Sequence, residues 1–196
     1  MTPGAWSSSS LKAAAGAQSR GRLLVLTGEP GSGKSTRCRQ VARAAREAAL
    51  VVHGVVGTDE TAAGGVERWL EDLRSGERIL LGRMATPEAI AAGAPRWALD
   101  DAALERCDAI LRAACPADLL VIDEVGPIEL LQQRGAATGV RHALTGPYDV
   151  ALVVVRPSLV PRFLELFPEL SAEVVEVLDD SVFGRLAAAV IAREPA

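Results

Sequence analysis

The amino-acid sequence predicts an α/β fold, a three-layer sandwich in which helices cover both faces of a mostly parallel sheet. Two observations support this class. Four continuous apolar runs recur along the chain, at residues 23–27, 50–56, 117–122 and 150–155. Such runs are typical of strands buried on both faces. Segments with helical spacing of apolar residues lie between them, so strands and helices are expected to alternate.

The helices can be placed from the same periodicity. The first is expected over residues 33–49, where Cys38, Val41 and Ala45 lie near one stripe. Others are expected over 100–114, with Asp100 or Asp101 as the N-terminal cap, over 159–167 and over 181–193, with a last strand at 174–178. Residues 1–20 contain no acid and show no sustained period. We therefore expect a flexible leader there, with an organelle transit peptide as the less favoured reading, and one domain over 21–196.

Residues 57–95 interrupt this alternation. Residues 66–73 fit either an amphipathic helix or a strand that leads through the turn at Ser75 and Gly76 into a second strand at 78–81. We prefer the hairpin, because the apolar run Ile79-Leu80-Leu81 resumes immediately after the turn. An excursion placed after the second strand lies at the carboxyl edge of the sheet, where open α/β folds bind ligands.

Composition restricts the class of protein. The 196 residues are 49% apolar, which is ample for a packed core, and the net charge of −4 argues against nucleic acid as a partner. No apolar stretch is long enough to cross a bilayer, so no membrane association is expected. The three cysteines form no C-x-x-C pair and the two histidines lie in no metal-like cluster. We expect a cytoplasmic protein without structural zinc.

A glycine-rich segment carries the clearest chemical signal. Residues 28–35, GEPGSGKS, match the phosphate-loop pattern G-x-x-x-x-G-K-[ST] and follow an apolar strand. Glycines let successive N–H groups point at phosphate oxygens, and the following helix aims its positive end at the same anion. Lys34 would contact the terminal phosphates and Ser35 would offer a hydroxyl to Mg²⁺. The alternative interpretation is a glycine-rich turn that occurs by chance and binds no phosphate. The predicted phosphate-binding residues are Gly28, Glu29, Pro30, Gly31, Ser32, Gly33, Lys34, Ser35 and Thr36.

Two adjacent acids end the third apolar run. Asp123 follows Ile122 directly, at the strand end where a carboxylate faces the metal in nucleotide-hydrolysing folds. Glu124 lies one residue further and would orient or deprotonate the attacking water. An Asp-Glu pair in this position is often only a solvated strand end. The phosphate loop upstream makes the functional interpretation the better one.

Additional positive charge is needed for a phosphoryl transition state. Arg83, Arg96 and Arg156 are the candidates, and for each one a solvated or ion-paired surface role is the more common outcome. Trp69 and Trp97 are similarly ambiguous: either indole could stack on a nucleobase, although covering a core edge is more usual.

These motifs together resemble the THEP1 nucleoside-triphosphatase family. The resemblance rests on GEPGSGKST, on VIDEVGPIEL and on the intervening RWALDDAALER, and it spans about residues 22–193. It implies a RecA-like P-loop NTPase fold with a β-hairpin excursion, in which Mg²⁺-bound nucleoside triphosphates are hydrolysed slowly with little preference among bases. The phosphate cradle then falls on residues 28–36, the metal-side acid on Asp123 and the catalytic acid on Glu124. The family often has Lys-Met-Glu where this chain has Pro127-Ile128-Glu129, so no basic role transfers there.

The expected function is therefore Mg²⁺-dependent hydrolysis, with Lys34 and Glu124 as catalytic residues and Ser35 and Asp123 at the metal. A nucleoside triphosphate is the one partner that the sequence identifies. Two alternatives remain open at this point. A small-molecule kinase would use the same phosphate loop, but the arginines of residues 57–95 are spread out rather than clustered as in a kinase lid. A nucleotide-dependent switch would bind a protein partner and turn over very slowly.

Overall fold

The computed structural model of the chain describes residues 21–177 and 181–191. Within these residues eight strands form a single sheet, with helices packed on it. The strands are β1 (Arg22–Thr27), β2 (Val52–Ala62), β3 (Gly65–Asp72), β4 (Arg78–Met84), β5 (Trp97–Leu99), β6 (Ala117–Val125), β7 (Tyr148–Val155) and β8 (Ala172–Glu176). The helices are α1 (Lys34–Glu47), α2 (Pro87–Ala91), α3 (Asp101–Arg112), α4 (Pro127–Leu130), α5 (Ala137–Thr145), α6 (Val160–Leu166) and α7 (Ser181–Ile191).

The strand order is β5-β4-β3-β2-β6-β7-β1-β8. Strands β2, β6, β7, β1 and β8 are parallel, whereas β3, β4 and β5 extend the sheet in antiparallel pairs from β2. Strand β7 separates β1 from β6, so the phosphate loop after β1 and the acids at the end of β6 lie at the same edge of the sheet, one strand apart. This arrangement brings distant motifs to one place.

The core is divided between the two faces of the sheet. Alternate residues of β1 point to opposite sides: Leu23 and Val25 join the cluster under α3, α5 and α6, whereas Leu24 and Leu26 join the cluster under α1 and α7. Strand β7 alternates in the same way. Burial on both faces explains why these strands read as continuous apolar runs rather than as alternating ones. The predicted three-layer α/β sandwich is confirmed.

The hairpin predicted within residues 57–95 is confirmed, and the competing helix over 66–73 is wrong. Strand β3 pairs with β4 as expected, through a turn in which the Asp72 carboxylate accepts hydrogen bonds from the Arg74 N–H and the Ser75 hydroxyl. Strand β2 also continues six residues past the predicted end at Val56, as far as Ala62, and pairs with β3 over its whole extension. The excursion is therefore a three-stranded antiparallel ribbon closed by short β5.

Other boundaries shift by a few residues. Asp100 is the cap of α3, since its carboxylate accepts the N–H of Ala103. The last strand begins at Ala172 instead of 174 and ends at Glu176, while predicted residue 178 lies outside the described residues. Helices α2, α4 and α5 were not predicted, because short or Gly-containing segments carry little periodicity.

The described residues test the expectations about the whole chain only in part. The leader at residues 1–20 lies outside the described residues, so it stays a prediction, as do the domain limits. Among the described helices, none combines the length and the apolar character that crossing a bilayer would require. The cytoplasmic compartment likewise stays a prediction.

Candidate functional site

The phosphate loop connects β1 to α1 through three glycines in the left-handed or extended positive-φ region. Gly28, Gly31 and Gly33 have φ angles of 149°, 80° and 86°. A Cβ at Gly31 or Gly33 would meet no atom within 4 Å, so these glycines are required by the backbone conformation and not by packing. Among the described residues no side chain caps α1 at Gly33, and its first turn contains no acid. The helix amides therefore remain available to an anion.

Lys34 folds back over this loop. Its Nζ donates to the carbonyl oxygens of Gly28 and Glu29, each at 2.7 Å, and to the Ser32 hydroxyl at 3.3 Å. Partial burial lowers the pKa of Lys34, and the nearby carboxylates of Glu124 and Asp123 act in the opposite direction. The ammonium thus lies between the loop carbonyls and the acidic end of β6, where it can exchange carbonyl oxygens for phosphate oxygens.

Asp123 is a buried carboxyl group, only 5% exposed. Its Oδ2 accepts the Gly57 N–H at 2.8 Å, so β2 of the ribbon holds it in place. Burial raises the pKa of Asp123 to about 6, while the Gly57 N–H and the neighbouring Ser35 hydroxyl lower it. Strand β6 therefore places Asp123 beside Ser35, the first-turn serine of α1.

This pair fits a magnesium ion. Oδ1 of Asp123 is buried and forms no hydrogen bond with the described residues. A buried carboxylate oxygen in need of a partner, beside a hydroxyl, matches the hard oxygen ligands of Mg²⁺. Three or more His, Cys, Asp or Glu side chains converge nowhere in the described part of the chain. A site with one carboxylate is nevertheless typical of Mg²⁺ that is also held by substrate phosphates.

Glu124 lies in a β-bulge. Ile122 pairs with Val153 and Val125 pairs with Val155. Two residues of β6 therefore lie between these pairs but only one residue of β7, so β6 carries one extra residue. Glu124 has a φ of 71°, a left-handed conformation that is costly for a residue with a Cβ. Bulges of this kind redirect a side chain, and here the redirected side chain is the predicted catalytic acid.

Two arginines hold the Glu124 carboxylate from different elements. Arg68 of β3 donates from Nη1 to Oε2 at 2.8 Å. Arg156, which directly follows β7, donates from Nε to Oε1 at 2.7 Å and also from Nη2 to the same oxygen. Each carboxylate oxygen therefore has its own guanidinium, one from the ribbon and one from the parallel part of the sheet.

Several of the residues singled out from the sequence meet at this edge. Lys34, Ser35, Asp123 and Glu124 lie together, and Arg156 contributes to the electrostatic environment of Lys34. Of the three candidate arginines, Arg156 is the one that contacts Glu124.

Other candidates lie elsewhere. Arg83 forms an ion pair with Glu67, and Arg96 is exposed just before β5. Both tryptophans stack on arginines: Arg78 lies 4.8 Å from the Trp69 ring centroid, and Arg68 lies 4.3 Å from that of Trp97.

Arg68 and Gly57 were missed as site residues in the sequence. Gly57 contributes a backbone N–H, which no side-chain pattern reports. In the sequence, Arg68 is only one of the scattered arginines of residues 57–95. A signal existed in the hairpin itself: once β2 and β3 are paired, Asp59 lies directly opposite Arg68, which indicates an anchored and not a solvated guanidinium.

A mostly parallel sheet with a glycine-rich loop after β1 and a carboxylate on β6 defines a P-loop nucleoside-triphosphatase fold. Comparison with known proteins agrees. The family model described as NTPase matches residues 23–182. The nucleoside-triphosphatase THEP1 of Methanopyrus kandleri is 34% identical over 148 residues, which cover 74% of this chain and 80% of that protein. The THEP1 protein of Methanothermobacter thermautotrophicus is 36% identical over 112 residues, covering 55% of this chain and 62% of the relative. The chain therefore belongs to the THEP1-like NTPase family.

A solved structure has the same fold. The solution structure of a human cancer-related nucleoside triphosphatase superposes with a TM-score of 0.63, at 22% identity, and covers 89% of this chain and 100% of that chain. The family resemblance inferred from the phosphate loop and the β6 acids is confirmed.

Proposed function

We propose that this chain hydrolyses nucleoside 5′-triphosphates to the diphosphate and phosphate, with Mg²⁺, slowly and with little preference among ATP, GTP, CTP and UTP. The observation that carries the proposal is the position of Glu124, turned by a bulge toward the edge where Lys34 and the phosphate loop lie. The names of the relatives support hydrolysis. Base tolerance is supported by the absence, among the described site residues, of a free tryptophan: both are stacked on arginines.

Each residue has a defined task in this proposal. The loop amides and Lys34 bind the phosphate oxygens, and Ser35 and Asp123 would hold Mg²⁺, which supplies positive charge to the phosphates when it is bound. Glu124 orients a water molecule and accepts its proton as the water oxygen attacks the terminal phosphorus. The bond from that phosphorus to the bridging oxygen breaks, and the diphosphate leaves with the electron pair.

The ribbon argues against the kinase alternative. A kinase lid presents unneutralised arginines to the transferred phosphoryl group. Here Arg68, Arg78 and Arg83 are each paired with an acid of the same ribbon, namely Asp59, Glu60 and Glu67. Water is therefore the favoured acceptor, and an added acceptor molecule is not needed.

The direct test is phosphate release from the four nucleoside triphosphates by purified protein with and without Mg²⁺. We expect release from all four, and Glu124→Gln should lower kcat by about 100-fold or more, in line with the usual contribution of a general base. Nucleotide binding, measured by calorimetry, should stay within a few-fold of the wild type. Glu105→Gln, on the exposed face of α3, is the matched control and should leave kcat unchanged.

Three outcomes would contradict the proposal. No release from any nucleotide would refute hydrolysis. Transfer of phosphate to a metabolite pool, with faster diphosphate formation, would identify a kinase. Turnover that appears only with an added protein would identify a switch.

A further inference from the structure

Arg68 is immobilised by three sets of contacts. Its Nε and Nη2 donate to the two oxygens of Asp59 at 2.8 and 3.0 Å, a bidentate pair between residues directly opposite in the β2–β3 ladder. Its guanidinium also stacks on Trp97, and its remaining nitrogen binds Oε2 of Glu124. The side chain is only 21% exposed. Arg68 cannot leave Glu124 without breaking away from Asp59 and Trp97 as well.

Arg156 is held much more loosely. Within the described part of the chain, its guanidinium binds only Oε1 of Glu124, and its side chain is 45% exposed. It follows β7 directly, at the same sheet edge as the phosphate loop. Burial is the largest cause that lowers the pKa of Lys34, and the charge of Arg156 lowers it further. Its position and freedom therefore differ from those of Arg68.

The charges suggest an exchange. Asp59 already balances Arg68, whereas Glu124 is the one acid that pairs with Arg156 among the residues that the structure describes. A bound triphosphate brings several negative charges to the loop, and guanidinium groups bind phosphate oxygens in bidentate fashion. If Arg156 moves to the terminal phosphate, Glu124 keeps Arg68 and is not left unpaired. Oε1, the oxygen that Arg156 releases, becomes the oxygen that accepts a hydrogen bond from water.

We propose that the two arginines divide the work of the site: Arg156 is a catalytic residue that leaves Glu124 for the terminal phosphoryl group, and Arg68 is a positioning residue that keeps Glu124 aimed. The inference rests on the proposed hydrolysis. Nucleotide binding would thereby unmask the base only when a terminal phosphate is present to attract Arg156. The diphosphate product, which lacks that group, lets Arg156 return to Oε1.

The test compares Arg156→Ala and Arg68→Ala with Arg83→Ala. Arg83 is the control because it belongs to the same ribbon and also forms an ion pair, with Glu67 directly opposite it. Glu67 and Arg68 are adjacent in β3, so their side chains point to opposite faces of the sheet. Arg83 therefore lies on the face away from Arg68. Three quantities are measured: kcat, the affinity for Mg²⁺-ADP, and the affinity for Mg²⁺-ADP with aluminium fluoride, a mimic of the transition state. Urea unfolding checks that each variant is folded.

Arg156→Ala should lower kcat by about 100-fold or more and weaken the aluminium fluoride complex by a similar factor, because a cation at the developing charge is worth that much. Affinity for Mg²⁺-ADP should change less than about threefold. Arg68→Ala should lower kcat by about 10- to 100-fold, the cost of misplacing a reacting group by about 1 Å. Asp59→Asn, which loosens Arg68 without removing its charge, should lower kcat in the same direction, and Arg83→Ala should match the wild type.

The Glu124→Gln background separates the two roles. Arg68→Ala should cost nothing further there, because Arg68 acts through the carboxylate, whereas Arg156→Ala should still weaken the aluminium fluoride complex. A wild-type kcat for Arg156→Ala, or an equal loss of Mg²⁺-ADP affinity, would overturn the role of Arg156. A further loss from Arg68→Ala in that background would overturn the positioning role. Absence of phosphate release by the wild type refutes hydrolysis itself and is a separate result.

Discussion

The left-handed conformation of Glu124 predicts that this proposed catalytic position is under backbone strain. We expect Glu124→Gly to be more stable than Glu124→Ala. Both variants lose the ion pairs with Arg68 and Arg156, so those losses cancel in the comparison. The remaining difference is the backbone: alanine keeps the cost of a φ of 71°, and glycine does not.

The magnitude follows from two opposing terms. A residue with a Cβ in the left-handed region costs roughly 1–2 kcal/mol. Glycine in a strand loses about 0.5–1 kcal/mol relative to alanine through backbone entropy. At position 124 the net advantage of glycine is therefore between about 0 and 1.5 kcal/mol, with a mid-value of about 0.75 kcal/mol. For a chain of this size 1 kcal/mol corresponds to about 2–4 °C in Tm.

Urea unfolding of the nucleotide-free protein measures the difference. The matched control is Glu71, a half-buried residue within regular β3 that has no positive φ. There Glu71→Gly should be less stable than Glu71→Ala by about 0.5–1 kcal/mol, the usual order for a strand. Opposite signs at the two positions are expected. If glycine is the less stable variant at both, the bulge does not hold Glu124 in the left-handed region and the argument from strain fails.

Two further predictions concern the phosphate loop and the buried acid. Lys34→Ala should weaken nucleotide binding by about 10- to 100-fold in calorimetric titration, the value of a charged hydrogen bond, and unchanged affinity would show that Lys34 does not reach the phosphates. Because folding raises the pKa of Asp123 from 3.8 to about 6, its stabilising contribution is complete below about pH 4 and is lost as the pH rises through 6. The free energy of unfolding of the metal-free wild type, relative to Asp123→Asn, should therefore fall over that range. A constant or rising difference would contradict this assignment.

Much of the fold could be predicted because the burial of strands depends on the types of residue that follow one another in the sequence. Strands buried on both faces need unbroken apolar runs, and β6 and β7 provide them. The phosphate loop can also be predicted from the sequence, since the positive φ angles at Gly31 and Gly33 require glycine. In both cases the relevant interaction is local, or depends on composition within a few residues.

The missing parts depend on pairing between distant residues. Strand β5 has three residues and exists because it pairs with β4. Helix α5 includes Gly139, whose N–H binds the Asp108 carboxylate of α3, and a Cβ there would lie 2.5 Å from the Asp108 carbonyl oxygen. A glycine that reads as a helix breaker is in fact required by close packing of two helices. Such contacts cannot be read from one segment.

Because contacts between distant residues cannot be predicted from one segment, the sequence identifies Glu124 as a candidate but not the two arginines that bind its carboxylate. The acid follows an apolar strand, which is a local pattern, whereas its two partners come from positions 56 residues before it and 32 after it. The bulge links these facts. The bulge and the positive φ set the direction of the Glu124 side chain, and both arise from the pairing of β6 with β7 and not from the local sequence. The Glu124 carboxylate thus lies between Arg68, which Asp59 anchors, and Arg156. The position of the proposed catalytic acid therefore depends on the ribbon, even though the motif that identifies it does not.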